Sequence, residues 1–144
     1  DSTVLDIDQC IQIHQLYHKV SEILSQKLAI KPQYFYTKFE RREKESGTLI
    51  TEKIAMPNII IDEKWYFDIF MVRCKEGIIF KTGEPKIIAA FFLVSSRDQR
   101  NLMLRAHTYI SQIIAEPDFE RRWMEAKDEK ALKDIILLGK RKRD

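Results

Sequence analysis

Apolar positions near the start of the chain recur at helical spacing. They predict a first helix from about Gln9 to about Lys27, with its apolar face turned inward. Asp6 or Asp8 is suited to cap this helix, because a short acidic side chain can accept from the amides of the first turn. Residues 1–8 are polar and acidic, and we expect a flexible lead-in there. The apolar positions of the helix are Ile13, Leu16, Tyr17, Val20, Ile23, Leu24 and Leu28.

A second helix is predicted to begin near Pro32. Proline suits the first turn of a helix, where its missing amide hydrogen would have no partner. The sequence Ser-Gly-Thr at residues 46–48 is typical of a turn and is expected to end this helix. The helix carries Tyr34, Phe35, Phe39 and Arg42.

The middle of the chain changes to short apolar runs, which are typical of strands. Residues 49–58 are predicted to form a loop leading into a short strand, and residues 59–61 continue it or form another. Residues 65–74 are rich in aromatic and β-branched side chains and predict a half-buried strand. Residues 87–94 are uniformly apolar, which predicts a central strand that is covered on both faces.

Two turns are predicted between these strands. Glu76-Gly77 predicts the first turn, and a shorter apolar run follows it at residues 78–80. The sequence Thr-Gly-Glu-Pro at residues 82–85 predicts the second turn, directly before the central strand.

The last part of the chain returns to helical spacing. Pro117 separates two helices, and Phe119 and Trp123 are expected to face inward from the second of them. Asp128 is a plausible cap for a final helix, and Gly139 is expected to end it. The order of elements indicates an α/β fold with a mixed sheet sandwiched between helices. The predicted helices are residues 97–115, 118–126 and 128–138.

Composition narrows the class of protein. The 144 residues suit one domain, and a net charge of +3 is too small to favour nucleic acid as a partner. The chain contains no apolar run as long as a membrane span, and its start does not resemble a signal peptide. Cys10 and Cys74 form neither a disulfide framework nor a zinc motif. We therefore expect no metal, no cofactor and a reducing cytoplasm.

The most informative motif is an apolar run that stops at a proline followed by a polar residue. Residues 54–58 are Ile-Ala-Met-Pro-Asn, and residues 42–44 are Arg-Glu-Lys. Proline ends a strand ladder and directs the next residue outward. Both motifs resemble the EIIA domains of the sugar phosphotransferase system, of the fructose, mannitol and nitrogen-regulatory type. Residues 80–85, 87–94 and 116–121 resemble later elements of that family, so the resemblance implies the family's fold over nearly the whole chain.

The resemblance also implies that the family's phosphate site is degenerate here. Asn58 stands where the family has its phosphorylated histidine, and Arg42, sixteen residues earlier, matches the family's arginine. An amide nitrogen is delocalised and is not a useful nucleophile, whereas a neutral imidazole is. The family's second histidine falls at about Met103, and His107 is one helical turn further on. The residues in place of the family's glycines are Leu49, Thr51 and Lys53.

Arg42, Asn58 and His107 are the candidate ligand-binding residues, and no catalytic residue is assigned. The resemblance implies that Arg42 binds an anion, a nucleotide phosphate or a partner carboxylate, and the alternative is an ion pair with a nearby glutamate such as Glu43. Asn58 is either a polar contact in a vestigial pocket or an asparagine that stabilises a turn. His107 is either a substitute phosphate acceptor or a residue on the flank of an amphipathic helix.

Four further residues have only weak functional patterns. His14 and His18 are one helical turn apart, but two ligands without a third favour surface histidines over a metal site. Cys10 and Cys74 are interpreted as buried or boundary thiols. Five aromatic residues are predicted to pack in the core and on the sheet: Trp65, Tyr66, Phe67, Phe91 and Phe92. Either Tyr66 or Phe67 is expected to face outward.

Two classes of function follow from the resemblance. The first is a non-catalytic regulatory or sensory EIIA-like domain over residues 9–139, which binds a partner protein, a small anion or a nucleotide. A start at Asp1 and a basic tail at residues 140–144 favour the cytoplasmic domain of a larger bacterial transporter or ion exchanger of the inner membrane. The alternative is a working phosphocarrier that uses His107. The sequence does not predict an oligomeric state.

Overall fold

In a computed structural model that describes residues 2–45 and 47–138, a mixed sheet lies between two layers of helices. Each layer buries its own apolar cluster against one face of the sheet. This architecture confirms the predicted α/β fold. The strands are β1 (Ser2–Ile7), β2 (Ile11–Gln12), β3 (Leu49–Thr51), β4 (Ile54–Ala55), β5 (Asn58–Ile61), β6 (Phe67–Ile79) and β7 (Ile87–Ser96). The helices are α1 (Ile13–Leu28), α2 (Pro32–Glu45), α3 (Arg100–Ile114), α4 (Phe119–Glu125) and α5 (Glu129–Leu137).

Strand β7 is the centre of the sheet. It pairs antiparallel with β6, and it pairs parallel with β4 along its first half and with β5 along its second half. Its side chains alternate between the two clusters, so that Phe92 packs with α1 and α2 whereas Phe91 packs with the C-terminal helices. Because both faces are covered, every position can be apolar. The predicted central strand is therefore confirmed.

The prediction of a flexible lead-in over residues 1–8 is wrong, because Ser2–Ile7 form strand β1. This strand pairs parallel with β6 along its whole length. Asp6 gave the segment the composition of a loop, but its carboxylate accepts from Arg73 Nη2 at 2.6 Å. A charged residue is tolerated on a strand where an opposite charge pairs with it.

Helix α1 begins at Ile13, later than predicted, because the two preceding residues pair with β6 as β2. Asp6 and Asp8 do not cap it. Gln12 is the N-cap residue, and its backbone amide donates to Gln15 Oε1 at 2.9 Å. The predicted inward face is confirmed by the buried side chains Ile13, Leu16, Tyr17, Val20 and Leu24.

The predicted turn at Glu76-Gly77 is also wrong, since β6 continues to Ile79. Its register with β7 shifts between Arg73 and Ile78, and Gly77 has a φ of 103° inside this irregularity. A bulge lets a strand bend without ending, and glycine tolerates a positive φ. Turns and bulges both use glycine, so the local sequence did not distinguish between them.

Trp65 is not a core residue, because 79% of it is exposed. It precedes β6 in the left-handed conformation with a φ of 58°. Its backbone amide donates to Asp98 Oδ1 at 3.0 Å, which ties this loop to the residues before α3. A hydrogen bond from the Ser96 hydroxyl, together with the Trp65 amide, lowers the pKa of Asp98. Tyr66 and Phe67 are half-buried.

The elements at the C-terminal end agree with the sequence patterns. Phe119 and Trp123 of α4 are buried, and Asp128 Oδ1 accepts from the Ala131 amide at 2.9 Å as the predicted cap of α5. Gly139 and the basic run at residues 140–143 lie outside the described residues. Within the described ranges, none of the helices combines the length and hydropathy needed to cross a membrane.

Candidate functional site

Met56 and Pro57 separate two short strands that pair with the same neighbour. Ala55 of β4 pairs with Ala90, and Asn58 of β5 pairs with Leu93 further along β7. The Pro57 carbonyl accepts from the Leu93 amide at 2.9 Å, although proline itself cannot donate. The ladder is thus interrupted without being lost. Asn58 begins β5 and is half-buried, which agrees with a polar side chain presented directly after the proline.

Helix α2 runs beside β5 and brings Arg42 to Asn58. Near the start of the helix, Tyr34 Oη accepts from the Asp62 amide at 2.8 Å, just beyond the end of β5. At the other end of the helix, Arg42 Nε donates to Asn58 Oδ1 at 3.4 Å. The two residues that the motifs singled out, sixteen positions apart in sequence, are therefore in contact.

A groove of about 280 Å³ surrounds this contact. Three basic side chains and one carboxylate line it, so its local charge is positive. The basic residues all belong to α2, and the strand supplies the amide of Asn58 and apolar floor residues. Guanidinium and ammonium groups donate hydrogen bonds to anions, and an amide both donates and accepts. The groove is lined by Lys38, Arg41, Arg42, Glu45, Asn58, Ile59 and Ile60.

Lys38 and Arg41 were not identified from the sequence. A signal for them was available, because positions three and four apart on a helix lie on one face. Lys38, Arg41, Arg42 and Glu45 have this spacing, and the motif comparison used only Arg42. Helical periodicity applied to the polar face of α2 would have found the other two.

Glu43 holds the segment after α2 against α1. Its Oε1 accepts from Tyr17 Oη at 2.8 Å and from Thr48 Oγ1 at 2.8 Å. The Thr48 carbonyl in turn accepts from the Met56 amide at 2.8 Å. Burial, and then the charge of Glu43, raises the pKa of Tyr17, so its hydroxyl remains a donor. These bonds position the chain on both sides of β4.

Met103 and His107 lie on α3, and neither is among the described residues that line the groove. Met103 is 6% exposed and belongs to the apolar cluster that also contains Met56 and Leu93. His107 is half-buried, one helical turn beyond Met103. Of the three predicted ligand-binding residues, the structure thus brings Arg42 and Asn58 together, and His107 is not among the described residues lining the groove.

The other titratable residues singled out in the sequence are distributed as follows. His14 and His18 are exposed, as predicted, and His18 stacks on Tyr36 at 3.9 Å between ring centroids. Cys74 is buried, and burial raises the pKa of its thiol. Cys10 is exposed, which corrects the expectation of a buried or boundary thiol, because it precedes β2 in a loop.

Comparison with known families and structures bears on the whole chain. The family model described as "Phosphoenolpyruvate-dependent sugar phosphotransferase system, EIIA 2" matches residues 3–138. Comparison with curated proteins gives no significant match.

Several solved structures share the fold. The nitrogen regulatory protein IIA-Ntr from Neisseria meningitidis has a TM-score of 0.81 at 13% identity, over 93% of this chain and 92% of that one. IIA mannitol from Escherichia coli has a TM-score of 0.71 at 12% identity, over 93% and 95% of the two chains. The Escherichia coli complex of enzyme IIA mannitol with phosphorylated enzyme IIB mannitol has a TM-score of 0.70 at 11% identity, over 93% of each chain. At these identities the likeness establishes the fold alone.

Proposed function

Because this chain belongs to the EIIA 2 family of the phosphoenolpyruvate-dependent sugar phosphotransferase system, we propose that it is a non-catalytic regulatory domain that binds an anion. The proposed site is the groove in which Arg42 contacts Asn58. The anion is either a small molecule or an acidic group on a partner protein. The contact between Arg42 and Asn58 is the observation that carries this proposal.

The chemistry of Asn58 favours recognition over transfer. Phosphoryl transfer through a side chain requires a nucleophile, and the lone pair of an amide nitrogen is delocalised into the carbonyl. The same amide group is a good hydrogen-bond partner, with two donors and an acceptor. With Asn58 among the residues that line the groove, the site has the means to orient an anion and lacks the means to form a covalent bond with it.

The charge of the groove supports an anionic ligand. Lys38, Arg41 and Arg42 line a groove of about 280 Å³ together with a single carboxylate, Glu45. Lys38 and Arg42 are half-buried, so their attraction for an anion is screened less than that of fully exposed side chains. A phosphate, a sugar phosphate or a partner's carboxylate would fit this chemistry.

A protein partner is the second part of the proposal. In the Escherichia coli mannitol system, enzyme IIA forms a complex with phosphorylated enzyme IIB. We infer that this domain likewise acts by contact with another protein or with an attached transporter or ion-exchanger domain on the cytoplasmic side of a membrane. The positive groove would then receive an acidic or phosphorylated group of that partner.

Titration monitored by NMR tests the anion site. Inorganic phosphate, glucose 6-phosphate and ATP are added separately, and we expect saturable amide shifts at residues 41–45 and 58–60 with at least one of them. Arg42→Gln should weaken binding about tenfold or more, since a hydrogen bond to a charged group contributes about 1.5–3 kcal/mol. Arg121→Gln is the matched control, because Arg121 is an exposed arginine on α4 that pairs with Asp118 and Glu125. Failure of all three anions would leave only the protein partner.

The competing function, a phosphocarrier that uses His107, is tested with the same protein. The unmodified chain is incubated with phosphoenolpyruvate, the first phosphotransferase enzyme and the histidine phosphocarrier protein. We expect no gain of a phosphoryl group, because His107 lies on α3 and not at the groove. An acid-labile phosphoryl group that disappears in His107→Ala would overturn the non-catalytic assignment.

A further inference from the structure

A second and larger cavity lies on the other side of α2. Its volume is about 450 Å³, which is in the range of small-molecule sites. Helix α1, the end of α2, the start of β3 and the turn between β6 and β7 enclose it. Its residues on α2 are Glu40, Glu43 and Lys44, whereas the groove beside Asn58 uses Lys38, Arg41, Arg42 and Glu45. The two spaces therefore share a helix but no lining residue.

The wall of this cavity is mainly apolar and aromatic. Ile13 and Tyr17 come from α1, Leu49 comes from β3, and Phe80 follows β6. The ring of Tyr17 is fixed, because it stacks on Phe39 with 5.3 Å between the ring centroids. Such a wall can bury the apolar body of a ligand, and the face of an aromatic ring attracts a cation.

Glu43 is the most firmly held charge in the cavity. Its Oε1 accepts from Tyr17 and from Thr48, each at 2.8 Å, which fixes the carboxylate in a half-buried position. Both bonds use Oε1, so within the described part of the chain Oε2 is left to accept from a ligand. Glu40, one turn earlier on α2, is also half-buried.

The basic residues around the cavity are held differently. Lys44 and Lys81 are exposed, and lysine stems are long enough to keep the ammonium group in water. The preorganised part of the site is therefore negative and aromatic, whereas the two lysines are exposed.

We propose that this cavity binds a small organic cation, with a primary ammonium group at Glu43 and an apolar or aromatic body against Tyr17 and Phe80. The ammonium donates to Glu43 Oε2, and the body of the ligand replaces water over the apolar wall. This site shares no lining residue with the anion groove. Both sites lie on the last two turns of α2, so a ligand in one can influence the other through that helix.

Two matched probes test whether the cavity prefers a ligand of positive or of negative charge. Phenethylamine carries an ammonium group on an aromatic body, and 3-phenylpropionate carries a carboxylate on a similar body. We expect phenethylamine to produce saturable NMR shifts centred on Gly47, Leu49 and Phe80, and 3-phenylpropionate to produce none there. Equal binding of both probes, or shifts that do not saturate, would overturn the proposal.

Two variants and a control test the residues. Glu43→Gln keeps an oxygen that accepts from Tyr17 and Thr48 but removes the charge, and it should weaken phenethylamine binding about tenfold or more. Leu49→Trp should weaken it similarly by filling the cavity, and the 43% exposure of Leu49 gives the larger ring room to fold. Glu22→Gln removes the charge of an exposed glutamate on α1, outside both the cavity and the anion groove, and should bind normally. Unchanged affinity in both test variants, with their folds verified by circular dichroism, would refute the site.

Discussion

Arg73 and Asp6 form a bidentate ion pair, and the same arginine connects strand β1 to helix α4. Arg73 Nη2 donates to Asp6 Oδ2 at 2.6 Å, and Nε donates to Asp6 Oδ1 at 3.0 Å. Nη1 of the same guanidinium donates to the carbonyls of Trp123 at 2.9 Å and Ala126 at 2.7 Å. A single buried side chain of β6 thus joins β1 to the end of α4.

Replacing Asp6 should destabilise the protein strongly. The Arg73 side chain is 3% exposed, and Asp6→Asn would leave its buried charge without a counter-ion. Removal of one partner from a buried pair costs about 3–5 kcal/mol, and the carbonyl contacts of Arg73 favour the lower end of that range. We expect a loss of about 3 kcal/mol in the free energy of unfolding, measured by urea denaturation.

Asp8→Asn is the control for this measurement. Asp8 is exposed between β1 and β2, and its substitution removes the same charge from the same segment. We expect a change within about 0.5 kcal/mol, as for other surface positions. If both variants lose a similar free energy of unfolding, then the net charge of this segment, and not the ion pair with Arg73, stabilises the protein.

The same ion pair should make stability depend on acid pH. The hydrogen bond from Arg73 lowers the pKa of Asp6 below its ordinary value of 3.8 in the folded protein. The unfolded chain therefore binds the proton more readily, and the contribution of this pair is full above pH 3.8 and lost as the pH falls through the folded-state pKa. Urea denaturation at pH values from neutral to acid should show a smaller acid loss in Asp6→Asn than in the unaltered protein.

Gly77 should be intolerant of any side chain. It has a φ of 103°, and a Cβ atom added there would lie 2.6 Å from Lys86 Cβ. Strain of this kind costs about 1–3 kcal/mol, so Gly77→Ala should lower the free energy of unfolding by about 2 kcal/mol or more. The clash arises because the bulged part of β6 lies directly beside the residue that precedes β7.

Gly83→Ala separates the cost of backbone strain from the cost of the contact with Lys86. Gly83 has a φ of 89° but no atom within 4 Å of an added Cβ, so it reports backbone strain alone. We expect a loss of about 1 kcal/mol there, typical of a left-handed non-glycine residue. If the alanine variants at residues 77 and 83 lose the same amount, then the contact with Lys86 relaxes and contributes nothing.

A histidine placed at residue 58 should test whether the groove can orient a side chain there for phosphoryl transfer. We expect Asn58→His to accept a phosphoryl group from the phosphorylated histidine phosphocarrier protein, because residue 58 already lies within 3.4 Å of Arg42. Adding Arg42→Gln should slow the transfer about tenfold or more, through loss of a charged donor. Mass spectrometry after brief mixing measures both.

Adding Arg121→Gln to Asn58→His is the control, since its guanidinium pairs on α4. Failure of Asn58→His to accept a phosphoryl group would contradict the inference that the groove orients a group at residue 58.

Patterns over several residues predicted most of the fold. The uniform apolar run of β7 and the spacing of Phe119 and Trp123 in α4 are confirmed, because burial on both faces or on one face imposes those periods. The motifs singled out Arg42 and Asn58 separately, and the structure places the two side chains in contact. In each case the information lies within one element or in two short motifs.

The errors share a different cause. Asp6 gives residues 1–8 the polarity of a loop, but it lies on strand β1, and its partner Arg73 is 67 residues away in sequence. Gly77 is typical of a turn in the local sequence, which does not show that β6 continues to Ile79 beside β7. The motifs do not include Lys38 and Arg41, because a basic residue on a helix is usually solvated. Only the packing of α2 beside β5 makes these two side chains part of a groove.

The sequence by itself determined most of the helices, the burial of β7 on both faces, and the presence of an amide side chain at residue 58 directly after a proline. These properties depend on residues that are neighbours along the chain. Only the tertiary structure decided that Asp6 neutralises Arg73 and that opposite sides of α2 line a positive groove and a cavity with a fixed carboxylate. The reason is physical: charge pairing and cavity shape depend on distances between residues far apart in sequence, which exist only after the layers have packed.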